Sequence, residues 1–176
     1  MTTAADVLKF ATSKVGTVEG GGKDGKSGNI VWVWDWWKQV TGSNLQGSPW
    51  CAGFISWCFG AAGASSLIAA ENPHGFVGCP TGLAYFSKRK QLVDPAKAAP
   101  GDLVFFDFDG KGIAEHIEIV ESNNKTFLTT IGGNTSPEGS NGSQANGGGC
   151  YRRKRPIGKT MIGVARPAWS VTSSTK

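Results

Sequence analysis

From residue 101 onward the chain is punctuated into short segments, "GDLVFFDF", "EHIEIVES", "KTFLTTIG" and "KTMIGVARP", rich in β-branched and aromatic residues and separated by turn residues such as Asp-Gly and Asn-Asn. Segments of this length and texture are strands, and strands joined by tight turns pair antiparallel. The first hundred residues have a different rhythm. "TTAADVLKFATSKVG" places Ala5, Leu8, Phe10, Ala11 and Val15 at helical spacing, with Thr2 or Thr3 as a cap and Gly16 as a stop. "IVWVWDWWKQVTG", with four of the seven tryptophans, reads as helix rather than strand. Cys51 to Ala62 carries Phe54, Ile55, Cys58 and Phe59 on one side, after a Pro49 suited to a helix start. "CPTGLAYFSKRK" is a shorter helix with a basic last turn. Helices first and an antiparallel sheet second define an α+β domain, because the sheet leaves one face for the helices to cover.

The 176 residues, 39% of them hydrophobic, suffice for one core, so a single domain over 1–168 with a polar tail at 169–176 is expected. A net charge of +5 favours an anionic partner without choosing among nucleic acid, membrane and cell wall. No apolar run approaches the roughly 20 residues of a membrane span, and the start "MTTAADVLKF" lacks a basic segment followed by a signal-like apolar stretch. Synthesis in the cytoplasm, without stable membrane insertion, is the expectation. Four cysteines without a Cys-x-x-Cys pair suit neither a disulfide scaffold nor structural zinc. Cys58, Cys79 and Cys150 read as reduced residues, with Cys58 buried on its helix.

Cys51 is different because of where it stands. A thiol of ordinary pKa, about 8.5, is mostly protonated at neutral pH and attacks carbonyls poorly. At the start of a helix the unpaired N–H groups and the positive dipole end stabilise a thiolate and offer donors to an oxyanion. A base is also needed, and the chain has only His74 and His116. His74 lies in the loop "ENPHGFVG", whereas His116 opens a strand, so His116 is the expected base. A third group should hold the imidazole. Asn134, at the end of the next strand, suits that role. Glu118 is the alternative, since period-two alternation points it the same way as His116, although the usual exposure of glutamate favours a solvated carboxylate there.

Two further residues flank the nucleophile. Gln46 is either a second oxyanion donor or a cap on nearby backbone. Trp50 is either a wall of the substrate groove or a core aromatic. Residues 134–149, rich in Gly, Ser and Asn, form a long loop, and "YRRKR" at 151–155 reads by default as solvated basic residues.

Three ordered blocks, "PWCAGFISWCF", "PGDLVFFDFDGKGIAEHIEIV" and "TTIGGNTS" with a downstream "NGGGCYRRKR", resemble the CHAP family of cysteine amidohydrolases and peptidases, most closely the catalytic domains of phage endolysins of Gram-positive hosts. The resemblance implies a papain-like α+β fold, a cysteine nucleophile at Cys51, a histidine base at His116 and peptidoglycan as substrate. No cofactor, no nucleic-acid partner and a monomer are expected. The family commonly carries Glu-Gly-Asn in the third block. This chain has Gly132-Gly133-Asn134, so Asn134 inherits the orienting role by default. A lysin without a signal would reach the wall through a holin-type pore.

Rival readings attach to two other stretches. "GGGKDGKS" from Gly20 to Ser27 satisfies a phosphate-loop pattern, and "LVFFD" ending at Asp107 looks like a partner magnesium strand; together they describe an NTPase. A phosphate loop requires a strand before it and a helix after it, and neither is expected here. "DFDGKG" at 107–112 has the start of a calcium loop, but Lys111 occupies the third acidic position, so a hairpin turn and no metal are expected. A non-catalytic wall-binding or virion-assembly module of the same fold is the remaining alternative.

Overall fold

A computed structural model of the chain describes residues 2–21 and 27–169. In chain order the elements are α1 (Ala4–Ser13), β1 (Gly20–Gly21), β2 (Ser27–Ile30), α2 (Trp32–Thr41), α3 (Cys51–Ala61), α4 (Cys79–Lys88), β3 (Leu92–Val93), β4 (Leu103–Phe106), β5 (His116–Asn123), β6 (Phe127–Thr135), β7 (Gly149–Pro156) and β8 (Met161–Ala165). The four helices precede a six-stranded antiparallel sheet of order β3-β8-β4-β5-β6-β7. The α+β architecture expected from the segment pattern is the one found.

Local signals explain the helix starts. Thr3 caps α1 through a capping box with Asp6, in which the Thr3 hydroxyl accepts from the Asp6 N–H and the Asp6 carboxylate accepts from the Thr3 N–H. Gly42, in the left-handed region at φ 82°, stops α2. The central helix α3 buries Cys51 through Ser56, Cys58 and Phe59, so it is covered on nearly every side. Gly53 makes that possible: a Cβ there would lie 2.6 Å from the Trp34 ring, so only glycine lets α2 rest directly on α3. The remaining face of α3 meets β5 and β6.

Alternation along β5 divides its side chains. Ile117 and Ile119 enter the large core beneath the helices with Phe54, Ile55, Phe59 and Phe105. Val120 faces the other way, joining Val104, Phe106, Leu128 and Val164 in a second apolar cluster. His116 and Glu118 share the parity of Val120 and are fully buried.

Several details depart from the expectation. Residues 149–156 form β7, whose register pairs Gly132 with Tyr151 and Leu128 with Arg155. Its charged composition hides it, because Arg153 and Arg155 point inward while Arg152 and Lys154 point out. "YRRKR" is therefore not a uniformly solvated stretch. The long loop is shorter than expected and is pinned to the sheet, with the Asn134 carbonyl accepting from Gly147 N–H at 3.0 Å and the Gln144 carbonyl accepting from the Thr135 hydroxyl at 3.0 Å. Most of the phosphate-loop pattern, residues 22–26, lies outside the described residues, but Ser27 opens strand β2 and not a helix. A strand and not a helix N-terminus follows the pattern directly, so the NTPase reading lacks the strand-to-helix setting it requires. Trp169, assigned to the tail, stacks on Phe59 with ring centroids 5.6 Å apart. Among the described residues, no helix is long and apolar enough to cross a membrane.

Candidate active site

Cys51 is the first residue of α3 and His116 the first residue of β5. The two side chains are neighbours: each alters the other's protonation. A hydrogen bond from Cys79, outweighing the opposing effect of burial, lowers the Cys51 pKa well below that of an ordinary thiol, helped by His116 and the Ala52 N–H. Burial alone would push the His116 ring down, but Cys51 and Glu118 overcome it and raise the ring to about 9. Both shifts favour the charged forms, thiolate at Cys51 and imidazolium at His116. Burial pushes Cys58 well above its ordinary value and Cys150 up to about 12, so neither is a nucleophile at neutral pH.

The imidazole is held from its far side. Glu118 Oε1 lies 3.1 Å from His116 Nε2, and Nδ1 is buried with no hydrogen bond formed among the described residues. Nδ1 is thus the ring nitrogen left to exchange a proton with the neighbouring sulfur. Glu118 is itself clamped. The Thr130 hydroxyl donates to its Oε2 at 2.5 Å, Arg155 Nε donates to Oε2 at 2.9 Å, and Arg155 Nη2 donates to Oε1. Burial would raise the Glu118 pKa, but Arg155 and then His116 hold it down to about 2. The Arg155 guanidinium lies 5.2 and 5.4 Å from the ring centroids of Phe106 and Phe108, and its Nη1 donates to Gln144 Oε1 at 2.7 Å.

The imidazole's carboxylate partner is therefore Glu118, and the reading of position 118 as a solvated carboxylate is corrected: Glu118 is fully buried. Burial of a carboxylate is tolerable because Arg155 neutralises it and four hydrogen bonds saturate its oxygens. The partner strand that delivers Arg155 was not legible as a strand. Asn134, at φ 57°, turns its amide into the long loop, where Nδ2 donates to the Ala145 carbonyl at 3.3 Å. The structure shows no hydrogen bond between Asn134 and His116.

Gly132 explains the exchange. A Cβ at 132 would lie 2.6 Å from Glu118 Cγ and 2.9 Å from Oε1. The carboxylate of Glu118 fills the space beside the strand position where the family resemblance leads one to look for a glutamate. Gly132→Ala should therefore cost about 1–3 kcal/mol, as overpacking of a site that cannot yield. Thermal denaturation checks this against Gly158→Ala, where a new Cβ meets nothing within 4 Å.

The flanking residues resolve as structural. Gln46 spends its amide on the start of α2: Oε1 accepts from Val31 N–H at 2.9 Å, and Nε2 donates to the Val31 carbonyl at 3.0 Å and to Asp35 at 2.9 Å. It has no donor left for an oxyanion. Trp50 is fully buried, edge-on to Trp32 and Phe54, with Nε1 donating to Glu19 at 2.8 Å, so it is a core aromatic and no groove wall. A groove of about 320 Å³ opens instead over Cys51 and Cys79, lined also by Trp34, Pro49, Val77, Ala114 and Glu115. The N–H groups of the first turn of α3, which have no intrahelical acceptor, stand at the same helix start as Cys51. His74 lies away in its own turn, its N–H bonded to Asn72.

The acidic loop before His116 gathers Asp107, Asp109 and Glu115 with carboxylate oxygens within 4.8 Å of one another. Their lone pairs are engaged by the loop itself. Asp107 accepts from the N–H groups of Gly110, Lys111 and Gly112, Glu115 from Phe108 N–H, and Asp109 pairs with Lys111 at 2.7 Å. These bonds hold the segment that delivers His116.

The protonation pattern has two measurable consequences. Catalysis that uses a thiolate and an imidazolium should lose rate as pH rises through about 9, where His116 gives up its proton, and in acid, where Cys51 takes one. Stability should fall in acid as well. Unfolded Glu118 takes a proton near 4.5 and folded Glu118 only near 2, so its contribution is full above 4.5 and is lost as pH falls toward 2. Between pH 6.5 and roughly 8 the folded pair carries one proton on His116 and the unfolded pair one on Cys51, so this pair adds no slope to the melting temperature; nearer 9 the melting temperature should fall, because Cys58 and Cys150 ionise when unfolded and stay protonated when folded.

The CHAP domain model matches residues 42–134, more than half of the chain, and spans both Cys51 and His116. The crystal structure of the P60 domain from the M. avium paratuberculosis antigen MAP1272c is similar at 16% identity, covering 93% of this chain and 91% of that chain, with a TM-score of 0.39. No curated protein matches. An α+β chain with a helix-initiating cysteine, a strand-initiating histidine and this match belongs to the CHAP domain family.

Proposed function

We propose that the chain is a peptidoglycan hydrolase that cleaves an amide bond of the wall peptide by Cys–His nucleophilic catalysis, as an N-acetylmuramoyl-L-alanine amidase or an endopeptidase, in the manner of a phage endolysin. Membership of the CHAP family points to peptidoglycan hydrolysis. The arrangement that supports the finer reading is Cys51 at the first position of α3 beside His116, whose Nε2 is fixed by a buried, arginine-clamped carboxylate.

The steps follow from that arrangement. Cys51 Sγ attacks the amide carbonyl of a peptide lying in the groove, and the developing oxyanion is met by N–H groups at the start of α3. His116 Nδ1 gives its proton to the leaving amine, which departs as the thioester forms. Water, deprotonated by the same nitrogen, then hydrolyses the thioester and restores the thiolate. Glu118 keeps the ring oriented and stabilises its charged form throughout. The net charge of +5 favours approach to an anionic wall, and a lysin of this kind would reach it through a holin-type pore.

Digestion of purified peptidoglycan from Gram-positive cells, with mass spectrometry of the soluble fragments, tests the reading. A newly exposed L-alanine amine identifies the amidase, and a new amine within the stem or cross-bridge identifies the endopeptidase. Release of reducing sugar ends without new amines would overturn the proposal.

A further inference from the structure

We propose that Cys51 and Cys79 form a reversible thiol–disulfide couple, making the groove sulfur at position 51 an oxidative modification site with a built-in resolving partner. The two Sγ atoms are 3.6 Å apart, and both thiols are free. The residues come from different helices, each as the first residue, Cys51 of α3 and Cys79 of α4. Both are largely buried, 3% and 6% exposed, and what is exposed of them lines the same groove. A disulfide needs the sulfurs at about 2.05 Å, so they must close by about 1.5 Å.

The two sulfurs differ in the way such a couple requires. Cys51 is the thiolate, and Cys79 is held as a thiol by its hydrogen bond to Cys51, by burial and by the charge of Cys51. A hydroperoxide supplies the oxidising equivalents. Cys51 thiolate attacks the O–O bond, forming a sulfenic acid and releasing an alcohol, or water from hydrogen peroxide. Cys79 sulfur then attacks Cys51 sulfur; the S–O bond breaks, and the hydroxyl leaves as water with the Cys79 proton. Two electrons have passed from the sulfur pair to the peroxide. A dithiol returns them by exchange, restoring both thiols and leaving its own cyclic disulfide. While the disulfide persists, Cys51 cannot attack an amide and cannot proceed to sulfinic acid.

The consequence for hydrolysis rests on the proposed role of Cys51, but the covalent chemistry does not. The full chain is exposed to hydrogen peroxide, then unfolded and alkylated with N-ethylmaleimide. The expected product is lighter by about 2 Da before alkylation, takes up two labels instead of four, and yields a non-reduced peptide linking Cys51 to Cys79. Dithiothreitol should restore four labels and, where peptidoglycan cleavage is measured, roughly nine-tenths of it. In Cys79→Ser the same exposure should add two or three oxygens to Cys51, and dithiothreitol should return less than roughly one-tenth of the cleavage. Four reactive thiols after exposure, a bridge to Cys58 or Cys150, or equal recovery in Cys79→Ser would each overturn the couple. Because label count and peptide linkage are read without substrate, failure to cleave peptidoglycan counts against the hydrolase reading alone.

Discussion

Cys51→Ala is expected to reduce peptide release from peptidoglycan on the order of 10⁴- to 10⁶-fold, the loss that follows removal of a nucleophile acting as one unit with its base. The fold should survive, because alanine is smaller than cysteine and suits the first turn of a helix. His116→Ala should lose activity on the same scale, and the double variant should be scarcely worse than either single one, since the sulfur without the base is idle. New amine ends counted by mass spectrometry, with circular dichroism as the folding control, check all three. Cleavage by Cys51→Ala at more than about one-hundredth of the parent rate would remove Cys51 from the chemistry.

Glu118→Gln should have the next largest effect, on activity and stability together. The amide keeps the shape but loses the charge that stabilises the imidazolium, and a loss on the order of 10²- to 10⁴-fold in kcat is expected. The alkaline limb should move from about 9 toward the ordinary histidine value of 6.5, a change that a merely packing role would not produce. Arg155 would remain buried opposite a neutral amide. Breaking a buried pair by removing one charge costs about 3–5 kcal/mol, so the melting temperature should drop as well. Asn134→Ala offers the contrast. It should loosen the 136–148 loop while leaving the alkaline limb in place, because its amide bonds to Ala145. A limb unmoved in Glu118→Gln and displaced in Asn134→Ala would return the orienting role to Asn134.

The elements that hold the nucleophile and base were readable because local signals coincide with them. Thr3 caps the first helix, Pro49 precedes α3, and β-branched runs between Asp-Gly and Asn-Asn turns mark β4, β5 and β6. β7 was not readable. Its inward residues, Arg153 and Arg155, are charged, and a period-two pattern of arginine looks the same as a solvated stretch until a buried carboxylate is found to receive it. Glu118 was hidden by the same ignorance: its parity with His116 was visible, but composition favours exposure for any single glutamate. One weak signal was present. Glycine at 132, where the family resemblance raises the expectation of glutamate, vacates space on the strand next to Glu118.

The sequence by itself determined the α+β class, the helix start at Cys51 and the strand start at His116, because capping, periodicity and turn chemistry act over a few neighbouring residues. Which carboxylate steadies the imidazole, which arginine neutralises that carboxylate, and that Cys79 lies 3.6 Å from Cys51 were decided only by the tertiary structure. Each of those contacts joins a residue to a partner whose distance depends on strand register and helix packing. Burial then changes the chemistry of the groups it brings together.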